Sequence, residues 1–566
     1  MRNTLIIFFS ILTLSCCGQP QAKKDTEFVN SSKITSIELN EQNIEDLKIL
    51  GLVWGFLKYY HPNIASGDYN WDFELFRILP KLIDTENSEV RDICLNDWIN
   101  SLGKLESEKQ NKIRKSNIKL NPDLIWINSS RFSDSLTIQL TDIIDAKRTG
   151  KNYYVNLAPN VGNPMFDNED SYADMIYPDA GYRLLSLYRY WNIIQYYFPY
   201  KYTIEEDWKG VLEEFIPKFV LAENETEYQL AVLELMARVH DTHANFTDGK
   251  LFKYWGINKP SFDVKFIENK AIVTDFLHAE FSKDLNMKIG DEILAINGKT
   301  VLEIVKEQLK YTPASNYPTK LREISKRLLR TNDSTLIIEY KSENETRKEI
   351  VKTYIVSEFY DYYNKLNNKP SFKLINEDIA YLYLGSIKSS ELPRIFNKIE
   401  NTKGLIIDLR CYPSEFVVFS LGKYLLPNKT EFVRFSKGSI EEAGLFTYTK
   451  SLKVGQKNKD YYKGKVIILI NETTQSQAEY TTMAFQTAPK ATVIGSTTAG
   501  ADGNISTFYL PGNIRTVISG IGVYYPDKTE TQRIGIVPDV EIKPTVNGIK
   551  NNKDELLEKA IELIDK

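Results

Sequence analysis

The sequence predicts a multidomain α/β protein with a duplicated helical N-terminal region, a small β-rich module and a βαβ core. Three observations predict it. An aromatic segment occurs twice in the first half, residues 258–352 alternate apolar and polar side chains, and short apolar runs alternate with helical patterns after residue 368. At 566 residues the chain is too long for one hydrophobic core, which agrees with several domains.

The composition is that of a folded protein, with 42% hydrophobic and 26% charged residues. Net charge is −4 and no long basic block occurs, so we expect no nucleic-acid partner. Outside the first twenty residues, the cysteines are Cys94 and Cys411, far apart in sequence and without CxxC spacing. No disulfide framework, no metal and no cofactor are therefore expected.

Residues 1–17 have the layout of a signal peptide. One Arg precedes an apolar stretch of about ten residues, too short to span a bilayer as a helix. The stretch ends in Leu-Ser-Cys-Cys and resembles a bacterial lipoprotein signal, with Cys17 favoured over Cys16 for lipidation because Leu14 then lies three positions earlier. The alternative is a plain secretory signal. We expect an exported lipoprotein, anchored to a membrane of the bacterial cell envelope (periplasm or outer membrane) through a polar tether, residues 18–40.

The aromatic segment of the first half is an internal repeat. Residues 54–63 read WGFLKYYHPN, and residues 191–200, at an offset of 137, read WNIIQYYFPY. Trp71 matches Trp208 at the same offset. Aromatic stripes at helical spacing more often form a core than a cofactor site. We therefore predict a first helical repeat with a mixed connector over residues 41–175 and a second over residues 176–252.

The second copy differs from the first at its end, where it reads HDTHANF. His240 and His243 are predicted one helical turn apart at a helix end. They could be packing or capping residues, or half of a metal site, although no third ligand follows at suitable spacing. One of them could instead be a general base for a nucleophile elsewhere in the chain.

Residues 258–352 have the period-two pattern of strands. Within them, IGDEILAING at residues 289–298 resembles the signature of PDZ domains, which bind extended peptides by adding a strand to a sheet edge. The resemblance makes Gly290 and Asp291 candidate substrate-binding residues. The alternative is another small β-barrel with an Asn-Gly hairpin.

Residues 368–550 alternate apolar strands with helices, and residues 551–566 form a C-terminal helix by prediction. Ser476 follows the strand at 466–470 and precedes a helix, while Asp408 ends a neighbouring strand. Functional residues collect at the carboxyl ends of such strands. Backbone N–H groups at a helix start are unpaired and can stabilise an oxyanion.

Four segments carry a specific resemblance: GLIIDLRCYPSE, INETTQSQAEY, ATVIGSTTAG and TQRIGIVPDVEI. They occur in the order found in the tail-specific (C-terminal-processing) serine protease family. The resemblance implies a Clp-protease/crotonase-like core, a polypeptide substrate and Ser476 as nucleophile. It also assigns the family's acidic residue to Glu479 and its glycine to Gly495.

The chain departs from this family pattern in two places. The position of the usual lysine base is Ala501, and the usual Gly-Gly after DLR is replaced from Pro413 onward. The tricorn-like branch uses a histidine from a segment before the PDZ module, and HDTHANF resembles that segment. The resemblance then implies His243 as base and Thr242 as its neighbour. Candidate third residues are Gln532 and Glu530, with Asp241 as a further option.

The sequence thus predicts an exported serine endopeptidase in which Ser476 attacks and His243 takes its proton. Backbone N–H groups at Gln477 and from Tyr412 to Ser414 would hold the oxyanion. The main alternative is a non-catalytic peptide-binding scaffold that lost its chemistry with the lysine. An acyl-transfer enzyme would need a phosphate-binding loop that the sequence lacks. Cys411 as nucleophile has no histidine nearby in sequence.

Overall fold

The computed structural model describes residues 20–106, 117–246 and 249–566. The predicted signal peptide, with Cys16 and Cys17, lies outside the described residues. Within those three ranges, no helix has both the length and the apolar character needed to cross a membrane.

The first region is mainly helical. Its helices are α1 (Glu41–Tyr60), α2 (Pro62–Ala65), α3 (Trp71–Ile83), α4 (Ser88–Ser101), α5 (Trp126–Ser129), α6 (Asp134–Ile144), α7 (Ala180–Tyr197), α8 (Trp208–Val220), α9 (Glu225–Arg238) and α10 (Phe252–Trp255). Its short strands are β1 (Ile118–Leu120), β2 (Asn156–Leu157) and β3 (Pro164–Met165). The long helices begin at polar caps: the Asn40 side chain accepts from the Asn43 N–H, and Asp179 accepts from the Tyr182 N–H.

The two repeated segments contain matching tryptophan pairs. In the first, each indole N–H donates to the other residue's carbonyl, Trp54 to Trp71 at 3.0 Å and Trp71 to Trp54 at 2.9 Å. In the second, Trp191 and Trp208 make the same reciprocal bonds, at 2.7 and 3.2 Å. Both pairs are stacked and buried. These side chains therefore belong to the core of the helical region.

Four charged side chains cross-link this core. The Lys58 Nζ lies 2.6 Å from Glu169, and Arg189 contacts Glu169 at 2.8 Å and Asp72 at 2.5 Å. Each of the four residues is at most 4% exposed. Two cations and two anions compensate each other's charge, which burial in an apolar core requires.

The second region is the β-rich module. Its strands are β4 (Asn258–Lys259), β5 (Phe262–Ile267), β6 (Lys270–Phe276), β7 (Glu292–Ile296), β8 (Lys299–Thr300), β9 (Thr335–Ser342), β10 (Glu345–Lys352) and β11 (Tyr354–Ile355). Its helices are α11 (Ala279–Ser282), α12 (Val301–Leu309), α13 (Tyr317–Leu328) and α14 (Tyr360–Asn367). The antiparallel sheet has the order β10-β9-β7-β6-β5, with β8 paired to β7.

Helix α13 packs against the edge of this sheet. Its Leu321 and Ile324 join one apolar cluster with Val305 of α12 and Phe266 of the edge strand β5. Strand addition to a PDZ domain uses the groove between an edge strand and its neighbouring helix. In this structure the helix beside the edge strand β5 is α13.

The third region is the βαβ core. Its strands are β12 (Phe372–Leu374), β13 (Ile379–Tyr383), β14 (Gly404–Asp408), β15 (Thr430–Gly438), β16 (Phe446–Tyr448), β17 (Leu452–Val454), β18 (Lys465–Ile470), β19 (Ala491–Gly495), β20 (Ile505–Leu510), β21 (Ile514–Ser519), β22 (Gly522–Tyr524) and β23 (Val540–Glu541). Its helices are α15 (Leu392–Ile399), α16 (Val418–Leu425), α17 (Gln477–Phe485), α18 (Val546–Lys550) and α19 (Glu555–Asp565).

The central sheet has the order β12-β13-β14-β18-β19-β23, and every pair after β12–β13 is parallel. Helices α15, α16 and α17 pack on one face and α19 on the other. In the parallel register, Asp408 pairs with Leu469 and Gly495 with Ile470. The loops after β14, β18 and β19 therefore meet at one edge, where Ser476 lies.

The first and third regions share one hydrophobic core. Phe508 and Ile514 of the β20–β21 hairpin are buried among the tyrosines and tryptophans of the helical region. Strand β1 of the first region pairs with β16 of the third. The predicted boundary between these regions is therefore not a boundary between separate cores, and this shared packing brings the end of α9 to the βαβ core.

Candidate active site

A cavity of about 530 Å³ opens at the carboxyl end of β18. Side chains from the helical region, from the start of α17 and from the loops after β14 and β19 meet here. Its lining consists of His243, Tyr412, Phe416, Phe435, Gln475, Ser476, Gln477, Tyr480, Asp502, Gly503, Asn504 and Ile505.

Ser476 occupies a sharp turn between β18 and α17. Its backbone has φ 54° and ψ −117°, a positive φ that non-glycine residues adopt rarely and at an energetic cost. The Ser476 N–H donates to the Ala501 carbonyl and to the Glu479 carboxylate, each at 3.0 Å. These two bonds hold the turn and place Ser476 at the cavity.

The Glu479 carboxylate joins this turn to the loop after β19. Besides the Ser476 N–H, it accepts from the Thr498 hydroxyl at 2.5 Å, the Gly500 N–H at 2.8 Å and the Ala501 N–H at 3.1 Å. Burial raises the pKa of Glu479, while the four donors act in the opposite direction. This carboxylate therefore fixes the loop that replaces the family's lysine turn.

His243 is held from its Nδ1 side. Nδ1 lies 2.8 Å from the Ser519 Oγ, and the Ser519 hydroxyl donates to Asp241 Oδ1 at 2.9 Å. Since the Asp241 carboxylate takes the hydroxyl proton, the Ser519 oxygen accepts from Nδ1–H, which leaves the lone pair on Nε2. Nε2 has no hydrogen-bond partner among the described residues, and His243 lines the cavity.

The same surroundings set the charge of the imidazole. Burial lowers the pKa of His243 below its usual 6.5, although the nearby Asp241 carboxylate raises it in part. His243 is therefore neutral near pH 7 and able to accept a proton. In the described part of the chain no direct hydrogen bond joins it to Ser476. Catalytic hydrogen bonds are often long without substrate.

The residues beside His243 lie in a turn and not on a helix as predicted, because α9 ends at Arg238 and His240 has φ 55°. The Thr242 hydroxyl donates to the Ala499 carbonyl at 3.0 Å, and its oxygen lies 2.9 Å from Ser315 Oγ, so it ties this turn to the loop after β19. His240 Nδ1 lies 3.3 Å from Lys320 Nζ, and burial together with that charge lowers its pKa to about 4.

The candidates for the residue that orients His243 differ in whether they reach its imidazole. Glu530 forms an ion pair with Lys119 and accepts from the Tyr202 hydroxyl at 2.7 Å, so its carboxylate is engaged away from the imidazole. Gln532 is buried, and its side-chain nitrogen lies 3.5 Å from Asp241 Oδ1. The residues that reach His243 are Asp241 and Ser519. Ser519 ends an ordinary strand pattern, and no sequence signal marked it.

Of the three predicted oxyanion donors, Gln477 and Tyr412 remain candidates and Ser414 does not. Gln477 is the first residue of α17, so its N–H has no helical acceptor, and Tyr412 also lines the cavity. The Ser414 N–H instead donates to the Leu384 carbonyl at 3.0 Å, and its hydroxyl donates to Ile387 at 2.6 Å. The assignment of Ser414 as an oxyanion donor is therefore wrong.

Gly290 and Asp291 lie outside the cavity lining. The Gly290 N–H donates to the Val273 carbonyl, and the buried Asp291 carboxylate accepts from the Lys288 N–H, both at 2.8 Å. With φ 90°, Gly290 also fits the turn for which glycine is suited. Their contacts stabilise a turn of the β module, which corrects their assignment to substrate binding.

Residues 378–542 match the family described as Peptidase family S41. The chain is a serine peptidase with a family S41 catalytic domain. A search of curated proteins finds no match.

Several solved structures resemble this chain. Mature CPAF complexed with lactacystin has a TM-score of 0.54 at 13% identity, covering 68% of this chain and 98% of that one. At this identity the similarity shows a shared fold. A putative peptidase from Parabacteroides merdae has a TM-score of 0.42 at 16% identity, with 68% and 96% covered. The photosystem II D1 C-terminal processing protease has 0.38 at 13%, with 64% and 92% covered.

Helix α13 connects the β module to the loops around Ser476. Arg322 donates to the Glu472 carbonyl at 2.6 Å and to Gln475 Oε1 at 3.0 Å, in the loop that leads to Ser476. Asn316 donates to the Thr498 carbonyl at 2.8 Å, in the loop held by Glu479. Both residues therefore hold the loops on either side of Ser476 in place.

We expect Arg322→Ala to lower kcat about ten- to a hundredfold, because small misplacements of reacting groups have effects of this size. The pH at half-maximal rate should not move, since Arg322 does not contact His243. Steady-state kinetics on an unfolded protein substrate across pH would measure both. The matched control is Lys326→Ala, an exposed residue on the same helix that pairs with Glu323. Equal kcat in the two variants would contradict the positioning role.

Proposed function

We propose that the protein is an endopeptidase that cleaves extended polypeptides through an acyl-enzyme on Ser476, with His243 as general base. One observation carries the proposal. Ser476, in its strained turn, and His243 line the same cavity; His243 Nε2 has no partner among the described residues, while Nδ1 is bound through Ser519 to Asp241. A nucleophile, a neutral base and a group that orients the base are the components that acyl transfer requires.

In the proposed reaction the Ser476 oxygen attacks the scissile carbonyl carbon while its proton passes to His243 Nε2. The N–H groups of Gln477 and Tyr412 stabilise the negative oxygen of the tetrahedral intermediate. The carbon–nitrogen bond then breaks, and His243 gives the proton to the leaving amine. A water molecule then attacks the ester carbonyl and gives its proton to His243. The ester bond breaks, the acid product leaves, and His243 returns the proton to the Ser476 oxygen.

The rival function is a scaffold that binds peptides without cleaving them. The absence of a lysine at position 501 favours the scaffold. Ala501 is buried and its N–H is bound to Glu479, so this position supplies no base. The chain Asp241–Ser519–His243 favours catalysis, because it fixes the one tautomer whose free nitrogen can take a proton from a serine. A binding surface alone has no need of that arrangement.

The substrate is proposed to reach the cavity as an extended chain. Tyr412 and Phe416 on its rim are 62% and 54% exposed, so a polypeptide has apolar surface to contact there. We therefore propose direct entry at the cavity.

We expect Ser476→Ala to abolish both hydrolysis of an unfolded protein and covalent labelling by a fluorophosphonate, and His243→Ala to lower hydrolysis about a thousandfold or more. Gel-based labelling and a fluorescent casein assay would measure these effects. Ser420→Ala, which removes a hydroxyl bound within α16, is the matched control and should retain full activity. A wild-type protein that neither labels nor cleaves would favour the scaffold.

The rate should also follow the ionisation of His243. Because the pKa of His243 is lowered and its neutral form is active, kcat/KM should rise with pH to a plateau, with a midpoint below 6.5. Ser519→Ala removes the hydroxyl between Nδ1 and Asp241 and should lower kcat/KM about ten- to a hundredfold.

Partial recovery in Ser519→Thr would show that the hydroxyl itself matters. Asp241→Asn removes a charge that raises the pKa of His243, so its midpoint should move to lower pH. A midpoint at or above 6.5 in the wild type, or full activity in Ser519→Ala, would contradict the assignment of His243 and its partners.

We further propose that the enzyme is exported and anchored by lipid on Cys17, as its first seventeen residues suggest. In a bacterial host, cells fed labelled palmitate should label the wild type and Cys16→Ser but not Cys17→Ser. Phase separation in detergent would give a second readout. Labelling of the wild type and Cys17→Ser but not of Cys16→Ser would move the anchor to Cys16, and no labelling of any of the three would support a plain secretory signal.

A further inference from the structure

Asp502 has no role in the proposed reaction, yet it lines the same cavity as Ser476 and His243. It is 2% exposed. Its Oδ1 accepts from the Gly503 N–H at 2.6 Å, whereas Oδ2 has no partner among the described residues. Buried carboxylate oxygens are nearly always hydrogen-bonded, so this one needs an explanation.

A purely structural role does not fit its contacts. Glu479, which does hold a loop, accepts four hydrogen bonds, whereas Asp502 accepts one. Burial and the negative charge of Glu479 raise the pKa of Asp502 well above its usual value. The donors around both carboxyl groups are neutral, so among the described residues the two acids lie together without a cation.

The walls beside Asp502 are aromatic. The ring of Tyr480 is stacked with Phe416 at 5.8 Å and with Phe435 at 6.2 Å between centroids. Aromatic faces attract cations and pack well against aliphatic chains. A side chain with a hydrocarbon stem and a positive end would therefore match both the walls and the carboxyl group.

We propose that Asp502 determines the specificity of the peptidase by receiving the positive end of a lysine or arginine side chain next to the cleaved bond. The inference rests on the proposed function, since it concerns the same cavity. The bound cation supplies the charge that the two acids lack and favours the ionised form of Asp502. The stem of the substrate side chain passes along Tyr480 and Phe416.

The test uses matched peptides that differ only in lysine or norleucine at each position flanking the cleaved bond. The wild type should cleave the lysine peptide with a kcat/KM at least about tenfold higher. In Asp502→Asn that value should fall about a hundredfold, a size typical for loss of one member of a desolvated charge pair, while the norleucine value changes less than about threefold. The matched control is Asp527→Asn, an exposed carboxylate outside the cavity, which should keep the wild-type ratio.

Fluorophosphonate labelling of each variant separates this inference from the proposed function. A wild type that labels but shows equal rates on both peptides, or an Asp502→Asn that labels and keeps the lysine preference, overturns the role of Asp502. A wild type that does not label overturns the proposed function, and this inference with it.

A second measurement needs no variant. Butylamine, which carries the lysine ammonium, should slow labelling of the wild type, whereas butanol at the same concentration should not. Equal effects of the two compounds overturn the inference.

Discussion

The buried carboxylate of Glu479 is the interaction on which the active site depends. It binds the Ser476 N–H and three donors of residues 498–501, so one group fixes both the nucleophile turn and the loop beside it. The Ala499 carbonyl of that loop accepts from Thr242, the neighbour of His243. Because the turn at Ser476 has a positive φ, it persists only if its surroundings over-determine it. Four donors on one buried acid provide that constraint.

The arrangement also depends on packing that joins distant parts of the chain. Ser519 lies at the end of a hairpin whose apolar residues are buried in the helical region, and Asp241 follows a helix of that region. His243 and its partners Ser519 and Asp241 are therefore assembled where the two regions share a core. Helix α13 adds a third connection, since Ser315 and Asn316 precede it and bind Thr242 and Thr498. Changes in the β module can reach both catalytic loops through this helix.

The parts of the site that follow local rules were predictable from sequence. Ser476 lies after a buried strand and before a helix, a pattern that the strand run and the following Glu479 reveal without tertiary information. Ser519 and Arg322 carry no such pattern, because their roles exist only once separate segments pack together. Ser414 and Glu530 show the opposite error. The position of Ser414 suggested an oxyanion donor, but its N–H is already bound to a carbonyl. The position of Glu530 suggested a partner for His243, but its carboxylate is already paired with a lysine.

The edge strand β5 shows why a motif does not settle a binding mode. The sequence at 289–298 supports a sheet with a tight turn, and the structure has one, yet α13 packs beside the strand that a peptide would join. By contrast, two buried polar atoms of the cavity, His243 Nε2 and Asp502 Oδ2, lack partners among the described residues. An unpaired buried acceptor costs free energy in a folded protein, and a ligand that pairs with it recovers that cost. Both atoms accept protons or cations, so a substrate in the cavity would find acceptors to pair with.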